Sequence, residues 1–398
     1  MEHKTRIKGN VHYVGVNDRN KHRFEAMWPL PYGVSYNSYL IDDEMVALVD
    51  TVDICYFEVY LRKIKQVIGE RPINYLIINH MEPDHSGSIR LIKQHYPEII
   101  IVGNKQTFGM IEGFYGVTGE QYLVKEGDFL ALGHHKLRFY MTPMVHWPET
   151  MMTFDETDGV LFSGDGFGCF GTVDGGFLDT RINVDKYWGE MVRYYSNIVG
   201  KYGSPVQKAL QKLGGLPISA ICSTHGPVWT ENIAKVIGIY DRLSRYDADE
   251  GVVIAYGSMY GNTEQMAEAI AEELSAQGVK NIVMHNVTKS HPSYILADIF
   301  RYKGLIIGSP TYSNQIFPEV EALLSKILLR EVKGRYLGYF GSFTWAGAAV
   351  KRLAEFAEKS KFELVGDPVE MKQAMKDLTY TQCENLARAM ADRLKKDR

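Results

Sequence analysis

The stretch that decides the first fold is Asn79-His80-Met81-Glu82-Pro83-Asp84-His85-Ser86-Gly87-Ser88, which follows a strand predicted at Tyr75–Ile78 and precedes a helical pattern. It brings two histidines and two carboxylates into six positions. A loop at the end of a strand can turn neighbouring side chains toward one centre, and mixed imidazole and carboxylate ligands favour iron, manganese or zinc. The sequence therefore predicts a metal site whose first ligands are His80, Glu82, Asp84 and His85.

Three later residues, His146, Asp165 and His225, each follow an apolar stretch that is typical of a strand. The order His-x-Glu-x-Asp-His, then His, Asp and His, resembles the metallo-β-lactamase fold. Hydrolases with this fold usually carry histidine where this chain has Glu82, and the harder carboxylate oxygen favours iron over zinc. Asp165 could bridge two metals, which in such sites lie about 3.5–4 Å apart.

The polar stretch Asp241–Glu250 separates two halves of different texture. Before it, short strands and helical patterns alternate irregularly, which predicts a mixed α/β domain over residues 1–249. After it, strands alternate strictly with helices, which predicts a doubly wound parallel sheet of five strands over residues 250–398. The predicted strands are Val252–Tyr256, Ile282–Asn286, Leu305–Gly308, Tyr336–Ser342 and Phe362–Val365.

The loop Tyr256–Glu264 joins the first strand of the second half to its first helix and contains no lysine or arginine. Its glycines and hydroxyls can hold a phosphate at the helix N-terminus, as flavodoxins do for FMN, whereas a P-loop requires a Gly-Lys-Ser/Thr end. The flavin ring is expected beyond the third and fourth strands. The predicted FMN contacts are Ser258, Met259, Tyr260, Gly261, Asn262, Thr263, Pro310, Thr311, Tyr312, Asn314, Ser342, Phe343, Trp345 and Gly347.

Composition narrows the range of partners and locations. The formal net charge of the 398 residues is −4, and neither a polybasic run nor an apolar run of membrane-spanning length occurs. We therefore expect neither a nucleic acid nor a membrane as partner. The polar N-terminus has no secretory pattern, and the four cysteines have no paired spacing. These features predict a cytoplasmic protein without a disulfide framework.

Both halves together resemble the flavodiiron proteins over nearly the whole chain. The motifs that carry the resemblance are Asn79–Gly87, His146-Trp147-Pro148-Glu149, Ser163-Gly164-Asp165, Thr224-His225-Gly226-Pro227 and Tyr256–Glu264. The resemblance implies a metallo-β-lactamase-like αββα domain with two non-haem irons, followed by a flavodoxin-like domain with FMN. It assigns to one iron His80, Glu82 and His146. It assigns to the other Asp84, His85 and His225, with Asp165 between the irons. Some family members leave the imidazole equivalent to His85 off the metal.

The resemblance also implies reduction of nitric oxide to nitrous oxide, of dioxygen to water, or of both. Because the chain ends without a Cys-x-x-Cys pair, we expect a separate electron donor, either a rubredoxin or a reduced deazaflavin cofactor. The family pairs subunits head to tail, so we expect a homodimer or a dimer of dimers. Tyr194, Tyr195 and His22 are candidate proton donors. Two alternatives stay open: a zinc-dependent hydrolase with an accessory flavin domain, and a plain FMN electron carrier.

Overall fold

The computed structural model describes residues 4–397. The chain divides into two compact units. The first unit runs up to Tyr195 and resumes from Tyr202 to Ser244, and the second comprises Ser196–Lys201 and the chain from Arg245 onward. The main division therefore follows Ser244, within the polar stretch Asp241–Glu250, whereas the boundary predicted from the sequence follows residue 249.

The strands of the first unit form two main sheets. In chain order they are β1 (Arg6–Lys8), β2 (Val11–Tyr13), β3 (Val16–Asp18), β4 (Arg23–Phe24), β5 (Trp28–Pro29), β6 (Val34–Tyr36), β7 (Tyr39–Ile41), β8 (Ala47–Val49), β9 (Tyr75–Ile77), β10 (Ile100–Gly103), β11 (Gln121–Leu123), β12 (Phe129–Ala131), β13 (Lys136–Met141), β14 (Met151–Asp155), β15 (Val160–Gly164) and β16 (Ala220–Ser223). Within the described residues, one sheet has the order β1-β2-β7-β8-β9-β10-β11 and the other β12-β13-β14-β15-β16. Two small antiparallel pairs, β3 with β6 and β4 with β5, lie outside them.

Helices accompany both sheets of the first unit. They are α1 (Phe57–Ile68), α2 (Pro83–Ser86), α3 (Ile89–His95), α4 (Lys105–Tyr115), α5 (Asp185–Tyr194), α6 (Gly203–Leu213) and α7 (Ile233–Ser244). In α1 the apolar residues recur at helical spacing, so one face is buried and the other remains polar. A single core cluster draws on both sheets, with Val49 and Ile77 from one and Phe139 and Phe162 from the other. This αββα arrangement confirms the fold class predicted for the first half.

The second unit contains a parallel sheet. Its strands are β17 (Asp249–Tyr256), β18 (Ile282–Asn286), β19 (Tyr302–Tyr312), β20 (Gln315–Ile316), β21 (Tyr336–Phe343), β22 (Glu363–Leu364) and β23 (Val369–Lys372). The main path is β18-β17-β19-β21-β22, with parallel pairing throughout, as predicted for a flavodoxin-like sheet. The predicted fifth strand is split, because β22 and β23 both pair with β21 and the intervening Gly366 has φ +71°. Pro368, which has no backbone N–H, precedes β23.

The helices of the second unit are α8 (Asn262–Ala276), α9 (Pro292–Arg301), α10 (Pro318–Leu329), α11 (Ala349–Ser360) and α12 (Asp377–Lys395). Buried side chains of α8 and α12, such as Ile270 and Leu386, share one core with the sheet residues Ile254 and Phe340. Among residues 4–397, no helix combines the length and the apolar character that a membrane crossing requires.

Candidate metal centre and flavin site

Seven buried side chains of the first unit converge on one centre. Each stands beyond a strand: the first four follow β9, one follows β13, one follows β15 and one follows β16. They are the ligands predicted from the sequence, namely His80, Glu82, Asp84, His85, His146, Asp165 and His225.

Asp165 lies between two groups of these side chains. Its Oδ2 atom is 2.9 Å from Nε2 of His146 and 3.6 Å from Nε2 of His80. Its Oδ1 atom is 3.1 Å from Nε2 of His85 and 3.6 Å from Nε2 of His225. One carboxylate therefore presents one oxygen to each of two pairs of imidazoles.

A second carboxylate completes each group. Oε2 of Glu82 is 3.1 Å from Nε2 of His146. On the other side, Oδ1 of Asp84 is 3.2 Å from Nε2 of His85, and Oδ2 of Asp84 is 3.3 Å from Nε2 of His225. Each group thus contains two imidazoles and one carboxylate of its own, in addition to the shared Asp165.

The ligand segment is partly helical, because Pro83 begins the short helix α2 and its ring favours the first helical position. Helix α2 carries two of the predicted ligands, Asp84 and His85, whereas the sequence predicts a loop there. Upstream, Oδ1 of the buried Asp50 accepts the backbone N–H groups of Asn79 at 2.8 Å and His80 at 3.4 Å. Burial raises the pKa of Asp50 to about 6. These contacts hold the segment against the end of β8.

Two of the imidazoles are oriented through their Nδ1 atoms. Nδ1–H of His225 donates to the carbonyl oxygen of Ser35 at 2.8 Å. A carbonyl can only accept, so Nδ1 carries the proton and the Nε2 lone pair of His225 faces the centre. Nδ1 of His80 lies 2.7 Å from Oε1 of Glu149, which also accepts the backbone N–H of Met81 at 2.8 Å. Sequence reasoning missed the role of Glu149, although it stands in the quoted His-Trp-Pro-Glu motif.

Several polar atoms that face the centre make no hydrogen bond in the part of the chain that the structure describes. They are Nε2 of His80, His85 and His225 and both carboxylate oxygens of Asp84. Buried polar groups are rarely left without partners in folded proteins. Imidazole nitrogens and carboxylate oxygens are also the donors that divalent transition metals accept. The donor set therefore fits two metal ions, with Asp165 between them.

The charges of the centre shift pKa values in opposite directions. Burial by itself lowers the pKa of His85, but the carboxylates of Asp84 and Asp165 outweigh it and raise the value to about 10. Burial raises the pKa of Asp165, but the imidazoles of His85 and His146 outweigh it and hold the value well below its usual range. Imidazolium and carboxylate groups thus balance one another, and a metal cation can take the place of the protons.

The candidate proton donors lie at different distances from the centre. The ring centroid of Tyr194 is 5.8 Å from that of His225, and burial followed by the charge of Asp165 raises the pKa of Tyr194 well above its usual value. Tyr195 instead packs on Tyr240, with ring centroids 5.1 Å apart. The side chain of His22 is exposed. The roles of these residues stay predictions.

A cavity of about 630 Å³ reaches the centre at Glu82 and Asp84. One wall comes from the β4–β5 hairpin, whose Phe24 ring lies 5.2 Å from the ring of His225 and meets it edge to face. The rest of the lining combines apolar and aromatic side chains with charged ones, namely Ile54, Leu91, Phe114, Tyr115, Lys21, Glu25, Asp53 and Arg90. Small molecules can therefore approach the two carboxylates from outside.

A second cavity of about 460 Å³ lies in the second unit, beyond the carboxyl ends of β17, β19 and β21. Of the predicted FMN contacts, all but Gly261 and Gly347 line it. No lining side chain carries a charge, so hydroxyls, amides and aromatic rings are the available contacts. The lining residues that sequence reasoning missed are Ser313, Thr344, Ala346 and Gln373.

The loop before α8 fits a phosphate. Gly261 precedes the helix with φ +89°, which L side chains rarely adopt, and its N–H donates to Oγ of Ser258 at 3.1 Å. Oγ1 of Thr263, in the first turn, is 2.9 Å from Oγ of Ser342. Hydroxyls and the helix N-terminus therefore converge on this end of the cavity, which is the environment that an FMN phosphate requires.

Residues 34–226 match the family described as ODP family beta lactamase, and residues 254–386 match the flavodoxin family. An anaerobic nitric oxide reductase flavorubredoxin from Vibrio vulnificus is 32% identical over 363 residues, which cover 90% of this chain and 73% of that protein. The solved structure of rubredoxin oxygen:oxidoreductase from Desulfovibrio gigas is similar with TM-score 0.93 and 31% identity, covering 97% of each chain. A flavodiiron protein from Giardia intestinalis has TM-score 0.91 and 26% identity, covering 98% of this chain and 97% of that one.

These similarities extend over both units, and the matched segments contain the seven converging side chains and the uncharged flavin cavity. The predicted metallo-β-lactamase-like and flavodoxin-like folds are confirmed. Because it matches the Vibrio relative over most of both sequences, this chain belongs to the flavodiiron protein family.

Proposed function

We propose that this protein is an oxidoreductase that reduces nitric oxide to nitrous oxide, dioxygen to water, or both. The observation that carries the proposal is the position of Asp165, whose two oxygens face two separate groups of imidazole and carboxylate ligands. When bound, a pair of non-haem irons supplies electrons and open coordination positions for the gas, and FMN relays electrons from an external donor. The names of the relatives, a nitric oxide reductase and an oxygen oxidoreductase, support the same reaction class.

The ligand assignment follows the two groups. In this proposal one iron is held by His80, Glu82 and His146. The other is held by Asp84, His85 and His225, and Asp165 contacts both. His85 is included because its Nε2 atom faces both Asp84 and Asp165 and has no hydrogen-bond partner.

Other residues orient the ligands and shape the approach. Glu149 and the carbonyl of Ser35 fix two imidazole rings, so that Nε2 rather than Nδ1 faces the metal. Phe24 shields one side of His225 from water. Tyr194 holds a phenolic proton beside His225 and is the better placed of the candidate donors, whereas Tyr195 and His22 stay weaker candidates.

The flavin, the electron donor and the oligomer belong to the same proposal. The predicted contacts from Ser258 to Gly347 would hold FMN, and a rubredoxin or a reduced deazaflavin cofactor would supply the electrons. We propose a head-to-tail homodimer or a dimer of dimers. Tyr260 and Trp345, two of the predicted FMN contacts, are 91% and 84% exposed on the rim of the flavin cavity. A cytoplasmic location stays a prediction that cell fractionation can test.

The hydrolase alternative is not favoured. Glu82 places a hard carboxylate among the proposed ligands, this chain contains a flavodoxin-like domain, and the matched relatives are named as a nitric oxide reductase and an oxygen oxidoreductase. A plain electron carrier would need no group of seven buried ligands.

Anaerobic stopped-flow mixing tests the proposal. The iron-loaded protein with reduced FMN is mixed separately with dioxygen and with nitric oxide, and flavin reoxidation is followed by its absorbance. We expect fast reoxidation by at least one gas and much slower reoxidation in the metal-free protein. Two bound zinc ions with hydrolysis in the absence of a reductant, or reoxidation at equal rates with and without metal, would refute it.

A further inference from the structure

Tyr36, the last residue of β6, has a buried hydroxyl that makes no hydrogen bond in the described structure. Its side chain is inaccessible to solvent, and the ring centroid lies 6.1 Å from that of His225. Most buried hydroxyls in folded proteins find a partner, so one that has none beside a ligand-binding centre points to a partner supplied from outside the chain.

Two neighbouring residues of β6, Ser35 and Tyr36, contact the same imidazole of the metal centre, that of His225. The carbonyl of Ser35 accepts the Nδ1–H of His225, and the ring of Tyr36 meets the same imidazole at 68°. The ammonium of Lys21, which lines the large cavity, lies 5.3 Å from the centroid of the Tyr36 ring. Tyr36 therefore lies beside His225, and its ring also faces Lys21, a residue that lines the cavity.

The metal centre itself offers the Tyr36 hydroxyl no free hydrogen-bond acceptor once metals are bound. When metals are bound, the oxygens of Asp84 and the Nε2 atom of His225 are their ligands and have little capacity left for a phenol. The phenol of Tyr36 keeps its proton at neutral pH because the pKa of a tyrosine is ordinarily about 10, so the hydroxyl can donate. A small anion or a diatomic molecule on the metal would offer the missing acceptor.

We propose that Tyr36 is a positioning residue, which donates a hydrogen bond from its hydroxyl to the small ligand bound on the Asp84, His85 and His225 side of the centre. The inference rests on the proposed function, since it needs metal ions in the site. It adds to the candidate donors a residue on the strand β6, whereas Tyr194 lies on the helix α5.

Azide binding to the iron-loaded, oxidised protein tests this inference without turnover. We expect Tyr36→Phe to raise the azide dissociation constant about tenfold or more, the change that loss of one hydrogen bond to an anion produces. Iron content should be unchanged. Because no protein partner is lost, the urea midpoint of the metal-free Tyr36→Phe variant should equal or exceed that of the wild type.

Tyr60→Phe is the matched control. The hydroxyl of Tyr60 is equally buried but lies 2.7 Å from Oγ of Ser38 and donates to the carbonyl of Asp50 at 3.2 Å. We expect this variant to lower the urea midpoint and to leave the azide dissociation constant unchanged. The two variants should therefore have different effects, because the Tyr36 hydroxyl contributes to azide affinity and the Tyr60 hydroxyl contributes to stability.

Equal azide affinity in the wild type and Tyr36→Phe, at equal iron content, would overturn the inference. A loss of stability in Tyr36→Phe as large as that in Tyr60→Phe would also overturn it, because it would reveal an internal partner. The proposed function has its own check in flavin reoxidation. If the wild type binds iron and azide but reduces neither gas, the proposed function is refuted and the role of Tyr36 stands. If the wild type binds iron but no azide, the proposed role of Tyr36 is refuted.

Discussion

Replacing Glu149 by glutamine removes the charge behind one metal ligand while keeping its shape. The pKa of Glu149 lies below its usual range, because His80 outweighs the effect of burial, so the side chain is ionised. Its Oε1 atom accepts Nδ1–H of His80 at 2.7 Å and N–H of Met81 at 2.8 Å. Glutamine can still accept both hydrogen bonds, but as a neutral group.

The structure allows the size of this effect to be estimated. A hydrogen bond to a charged group contributes about 1.5–3 kcal/mol and a neutral one about half as much. The bond to His80 acts on metal affinity, and its weakening by about 1.4 kcal/mol corresponds to about tenfold. Removing a residue that hydrogen-bonds a metal ligand lowers metal affinity about 10–100-fold, so we expect the loss of affinity in Glu149→Ala to lie toward the upper end of this range.

Calorimetric titration of the metal-free protein with Fe(II), under anaerobic conditions, measures both ions. We expect Glu149→Gln to weaken one of the two binding events about tenfold, because Glu149 contacts only the His80 group, and to leave the other close to the wild type. Glu156→Gln is the control, since that carboxylate pairs with Arg138 away from the centre. Equal weakening of both events, or no weakening of either, would refute the reasoning.

Three further predictions concern other parts of the chain. Arg335 is buried and donates to backbone carbonyls that include those of Ile299 and Phe300, so Arg335→Met should lower the free energy of unfolding by more than about 3 kcal/mol in urea titrations. The control is Arg388→Met, which removes an exposed ion pair with Glu273 and should leave the urea midpoint close to that of the wild type. Burial lowers the pKa of His135, but its contact with Asp155 at 2.9 Å raises it by more, so the net shift is upward. The contact therefore stabilises the fold fully below about pH 6.5 and loses its effect as the pH rises through the folded-state pKa of His135. We expect His135→Asn to lower the free energy of unfolding most at low pH. A loss of stability that grows as the pH rises would contradict this expectation. Thr263→Val should weaken FMN binding about tenfold in fluorescence titrations without changing the parallel sheet, and unchanged affinity would remove Thr263 from the phosphate site.

The proposed metal ligands could be predicted from the sequence because their chemistry is local. Four of them lie within six consecutive positions, and the others follow apolar stretches that predict strands, at whose ends side chains of neighbouring strands can meet. The flavin loop could be read for the same reason, since Gly261 and the hydroxyls near it lie within one strand-to-helix connection. Glu82 also allowed iron to be predicted from the sequence alone. It stands where hydrolases of this fold usually have histidine, and its hard carboxylate oxygen favours iron over zinc.

The side chains that orient these ligands depended on contacts between distant parts of the chain. Glu149 reaches His80, and the carbonyl of Ser35 reaches His225 across 190 positions, so no local pattern could reveal either pairing. In the sequence, nothing distinguishes Tyr36 from other strand residues. Only the folded structure shows that its hydroxyl is buried without a hydrogen-bond partner among the described residues. Composition, strand rhythm and ligand order thus determined the two folds and the donor set. Only tertiary packing decided which oxygen of Asp165 faces which imidazoles and which phenols stand beside them, because these relations arise where separate strands meet.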